Sequence, residues 1–173
     1  MADYLEEKWW CAAYHEAGHV VALVSYGIFP THVDVSIRGG GYTATEYLPE
    51  DWTAKQDDAV TLSGIVAEHI YRNDIDDFIR AVRCGTSKLS GEDGRRVYER
   101  DVRAIAKQME EHKEYFLNRR WELIQEIAGA LMKHGAIDNE DIKAIYQYVI
   151  GADTIGHIAK NVVRQELLYL TYY

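Results

Sequence analysis

Tyr14-His15-Glu16-Ala17-Gly18-His19-Val20-Val21-Ala22-Leu23-Val24 reads as part of one continuous helix. Apolar residues recur at helical spacing from about Tyr4 to Gly27, where the glycine supplies a C-cap. His15 and His19 are four positions apart, so they share a face with Cβ atoms roughly 5–6 Å apart. Two imidazoles at that spacing can converge on one Zn²⁺ at about 2.0–2.1 Å. Glu16 is one step round the helix and is not needed as a ligand. It can lie beside a metal-associated water as general base. Mostly apolar neighbours (Ala12, Ala13, Tyr14, Val20) make the helix half-buried. Gly18 costs roughly 1 kcal/mol against Ala inside a helix, and either close helix packing or room beside the metal for substrate or a neighbouring strand accounts for it.

Outward from this helix the pattern changes once. In Thr31-His32-Val33-Asp34-Val35-Ser36-Ile37-Arg38 every second residue is β-branched, the period of a half-buried strand. Gly39-Gly40-Gly41 is expected to turn, with a return strand over Tyr42–Leu48. The only prolines, Pro30 and Pro49, bracket this stretch. Helical spacing resumes over Lys55–Arg72, with Ala59, Leu62, Ile65, Val66, His69 and Ile70 near one face. Asn73–Gly91 is polar and irregular at its ends, with a short helix around Phe78, Ile79 and Val82. A helix from Ser90 as N-cap through Met109 follows. Another spans Trp121–Lys133 and stops at Gly135, one runs from Asn139 through Val149, and a last one opens at Asp153 before the tail Tyr169–Tyr173. The fold class is mainly α with a small β element (α+β). One domain covers residues 1–146, with a C-terminal helical extension over 147–173 packed on it.

Composition sets the outer limits. Hydrophobic residues make up 47% of 173, enough for an ordinary core and too many for a disordered chain. Lys plus Arg number 19 against 28 Asp plus Glu, a net charge of −9 that argues against nucleic acid and anionic membranes as partners. The longest apolar run, Val20–Val24, is far short of the roughly 20 residues a membrane span needs. The first residues lack a basic and apolar leader pattern, so a cytoplasmic location is expected. Cys11 and Cys84 have no metal-site spacing and are expected to be small buried hydrophobes.

An open zinc site needs a third protein ligand. Asp93, near an expected helix start, competes with Glu68, His69 and Asp101, and composition does not choose among the four. His32, His112, His134 and His157 stand alone and read as solvated or packed side chains. Trp9, Trp10, Trp52 and Trp121 read as core or rim aromatics.

Further motifs surround His15-Glu16-Ala17-Gly18-His19. They are Val33-Asp34-Val35-Ser36-Ile37-Arg38-Gly39-Gly40-Gly41-Tyr42-Thr43 with Tyr47-Leu48-Pro49-Glu50-Asp51, then Leu62-Ser63-Gly64-Ile65-Val66-Ala67-Glu68. Asn118-Arg119-Arg120 through Leu131 and Ile137-Asp138-Asn139-Glu140-Asp141-Ile142 complete the series. In this order they resemble the peptidase domain of the FtsH-type AAA zinc metalloproteases, over roughly residues 10–146. The resemblance implies a zincin-like fold, Zn²⁺ as cofactor, His15 and His19 as ligands and Glu16 as catalytic base. It also implies an Asp ligand in a turn before a helix, which Ser90-Gly91-Glu92-Asp93 matches best. Glu92 stands where the family has Asn, and a short insertion before Ala106-Lys107-Gln108-Met109 keeps Asp101 as the alternative. Glu68 matches a family carboxylate beside the site that is not a ligand.

No GxxxxGK[ST] phosphate loop occurs. The expected activity is therefore ATP-independent zinc endopeptidase action on peptides or unfolded proteins. The competing expectation is a zinc-stabilised, non-catalytic binding or adaptor module. The family's ring-forming habit implies a homo-oligomer, and the lack of an ATPase module raises a separate unfoldase as partner.

Overall fold

A computed structural model describes residues 2–87, 89, 93, 94, 97 and 101–151. Ser90, His157 and the helix expected from Asp153 lie outside these residues, as does most of the 147–173 extension. Helix α1 (Ala2–Ser25) ends as the sequence anticipates. Gly27 takes a φ of +77°, its N–H donates to Val24 O and the Ile28 N–H donates to Leu23 O. That double closure lets the chain reverse into the sheet.

Strands β1 (His32–Ser36) and β2 (Gly40–Ala44) form an antiparallel hairpin. Gly39 at φ +85° closes the three-residue loop, a position that disfavours a side chain. β2 therefore begins inside the glycine triplet and is displaced from the expected Tyr42–Leu48. A third strand, β3 (Ala136–Asp138), was not expected and pairs with the other side of β1, giving the order β2-β1-β3. Val33, Val35 and Ile137 turn inward from this sheet and are buried.

Helix α2 (Ala54–Tyr71) starts from Thr53, whose side chain and that of Gln56 cap each other's backbone N–H groups. It packs along α1 at Gly18, where a Cβ would collide with the Ser63 carbonyl oxygen and with Ala67. Close packing thus accounts for Gly18. Helix α3 (Ile75–Arg83) buries Ile75, Ile79 and Val82. Helix α4 (Val102–Tyr115) leads through a π-helical turn at Phe116–Arg120 into α5 (Trp121–His134), and α6 (Asn139–Ile150) follows β3.

The apolar core centres on α1. Val20, Val21 and Val24 meet Leu62 and Val66 of α2, Ile124, Ile127 and Leu131 of α5, and the inner face of the sheet. On one flank Tyr14 stacks on Tyr71 at 4.3 Å and on Trp121 at 5.4 Å. The four tryptophans are core or rim residues as expected. The cysteines are not buried as expected, since Cys11 is half-buried and Cys84 exposed. Among the described residues no helix is long and apolar enough to cross a membrane.

Candidate metal centre

α1 presents His15 and His19 one turn apart, with ring centroids 4.7 Å apart and planes at 81°. α2 fixes the far side of each ring. His19 Nδ1 lies 2.8 Å from the Val60 carbonyl oxygen, and His15 Nδ1 lies 3.2 Å from Glu68 Oε2. Both acceptors hold a proton on Nδ1 and turn Nε2 towards a common point. Asp93 reaches that point from 78 residues along the chain. Its Oδ2 lies 2.8 Å from His15 Nε2 and 3.3 Å from His19 Nε2.

The three ligand atoms all fall within 4.8 Å of one another. Around a tetrahedral ion with bonds of about 2.0–2.1 Å, ligand atoms stand roughly 3.3 Å apart, and the two histidine-to-Asp93 separations are 2.8 Å and 3.3 Å. Two imidazole nitrogens and one carboxylate oxygen are also the donor types of an open zinc site. The residues fit the ion on both counts.

The other candidates are occupied elsewhere. Glu68 holds His15 through Nδ1, and Arg72 lies 3.4 Å from its second oxygen. His69 bonds Asp74 at 2.7 Å and stacks on Phe78 at 3.6 Å, clasping α2 to α3. Asp101 is the N-cap of α4, accepting from the Arg103 N–H at 3.0 Å, so the helix expected to run through Met109 is interrupted there and the Asp101 carboxylate serves a helix end.

The charges are coupled. Burial pulls the pKa of His15 down, yet the hydrogen bonds to Asp93 and Glu68 outweigh it and raise the value to about 10. Asp93 is held well below the usual carboxylate range because its bonds to His15 and His19 overcome desolvation. Glu68 is lowered against desolvation in the same way, chiefly by His15. A cation taken by Nε2 of His15 therefore displaces a proton, and its affinity falls as pH falls.

Glu16 is buried beside this group and accepts a hydrogen bond from Thr43 Oγ1 at 2.6 Å. β2 comes close enough that a Cβ on Gly41 would lie 2.5 Å from Glu16 Cγ. The histidines, Glu16, Asp93 and β2 line one cleft of about 750 Å³.

No protein-family model matches the chain, and no curated protein matches it. Three residues of the centre escaped the sequence reading. Gly64 makes room for both rings, because a Cβ there would lie 2.5 Å from His19 Nε2 and 2.9 Å from His15 Nε2. A glycine inside an otherwise regular helix was the available signal of such an approach. Gly41 and Thr43 share a strand face at period two, but nothing in the sequence showed which face meets Glu16.

Proposed function

We propose that this chain is a zinc endopeptidase with an FtsH-type, zincin-like peptidase fold, acting in the cytoplasm on peptides or unfolded chains without an ATP-driven step of its own. The observation that carries the reading is the meeting of His15 and His19 with Asp93, which lies 78 positions beyond His15, directly beside the buried Glu16. Bound by those three residues, Zn²⁺ would supply Lewis acidity that acidifies water and polarises a carbonyl.

The chain's own residues do the rest. β1 is paired on both sides, whereas β2 has its outer edge free among the described residues. β2 also lines the cleft, so an extended peptide laid along it forms backbone hydrogen bonds and brings a carbonyl over Glu16. Glu16 takes one proton from water as the oxygen attacks the carbonyl carbon. It then delivers the proton to the amide nitrogen as the C–N bond breaks. Glu68 and the Val60 carbonyl keep the two imidazoles aimed throughout.

The deciding experiment is casein hydrolysis by Glu16→Gln with zinc content measured in parallel. Hydrolysis should fall by at least about 100-fold, the usual worth of a general base, with zinc retained. Unchanged hydrolysis with zinc bound overturns the reading and leaves the site as that of a zinc-stabilised binding module.

A further inference from the structure

We propose that Thr43 is a positioning residue that aims the Glu16 carboxylate; this rests on the peptidase reading and deepens it. Glu16 sits on a helix one step round from a ligand, and its side chain has rotamers that would swing its oxygens away from the cleft centre. Two features of β2 remove that freedom. The missing side chain at Gly41 leaves the space that Glu16 fills, with Cγ and Oε1 lying 2.5 Å and 2.7 Å from where a Cβ would stand. Two residues on, on the same strand face, Thr43 Oγ1 donates to Oε2 at 2.6 Å. That is the length of a hydroxyl bonded to a carboxylate, the stronger kind of neutral-to-ion bond.

Oε2 is thereby committed to Thr43, and Oε1 is left to exchange the proton. Sheet register sets the arrangement, because Thr43 pairs with Val33 and Gly41 with Val35. A slip of one residue would replace the hydroxyl and the glycine with Ala44 and Tyr42. The β1–β2 hairpin therefore serves the chemistry as well as the substrate.

The test compares Thr43→Val, which keeps the shape and deletes the hydroxyl, with Thr43→Ser, which keeps the hydroxyl. We expect Thr43→Val to lower kcat by about tenfold to 100-fold with KM within about twofold, and Thr43→Ser to restore most of it. A second readout needs no activity. In chelator-treated protein, Thr43→Val should lower Tm by about 3–6 °C, and by under about 1 °C when Glu16 is already Ala. A kcat for Thr43→Val within twofold of wild type, a serine variant as impaired as the valine, or equal Tm shifts in both backgrounds overturns the inference. Full hydrolysis by Glu16→Gln would instead sink the peptidase reading, and the melting comparison would still decide whether Thr43 holds Glu16.

Discussion

Gly64→Ala adds one methyl group at the point where α2 passes the two imidazoles. Its Cβ would stand 2.5 Å from both Cε1 and Nε2 of His19 and 2.9 Å from His15 Nε2, where ordinary contact begins at 3.4 Å. The His19 ring must therefore retreat by about 0.9 Å and that of His15 by about 0.5 Å, distances at which atom pairs are strongly repulsive. His19 cannot swing away freely, because its Nδ1 is tied to the Val60 carbonyl at 2.8 Å on the same helix. Disturbing how a metal's ligands are held costs such a site about 10–100-fold in affinity. The helix itself gains from the change, since alanine is favoured over glycine by about 1 kcal/mol. Titration against a chromophoric chelator should show zinc affinity weakened by about 10–100-fold, while far-UV circular dichroism stays at the wild-type level. A zinc Kd within threefold of wild type would show that the rings do not converge beneath Gly64.

Asp101→Ala should cost about 1 kcal/mol and lower Tm by about 2–4 °C through loss of the α4 cap, with one zinc per chain retained; elemental analysis showing zinc loss would return Asp101 to the ligand set. Glu68→Ala should weaken zinc binding by about 10–100-fold by freeing His15 Nδ1, and unchanged affinity in the same chelator titration would refute that role. His112 is fully buried, and burial lowers its pKa from 6.5 to about 4. The unfolded chain therefore binds the extra proton first, and stability is lost as pH falls from about 6.5 towards 4, by up to about 3 kcal/mol. Urea melts at pH 7 and pH 4.5 should show His112→Leu losing less stability than wild type over that interval; parallel losses would refute the assignment.

What could be read in advance was what repeats locally. α1 announced itself by helical spacing, by His15 and His19 one turn apart, and by Gly27, each a property of neighbours in sequence. β3 was invisible because three residues followed by a capped helix carry no period of their own, and only pairing with β1 makes them a strand. The start of β2 was misplaced because glycine is a poor strand former, yet Gly41 is needed where the backbone meets Glu16. Asp101 against Asp93 illustrates the same division. Both are carboxylates beside helical segments, and only the tertiary path separates the one that caps α4 from the one that reaches His15 and His19.

The contact between His15 and Asp93 joins positions 78 apart. Closing a loop of that length costs chain entropy on the order of 4 kcal/mol, which folding must offset. An ion bound there, as proposed above, would stabilise the folded chain by its binding free energy as well as serve as a reagent. Withdrawing it would release Asp93, while α1 and α2 would stay joined through Gly18 and the aliphatic side chains between them. Metal supply would then govern how long the folded chain persists as well as what it can do.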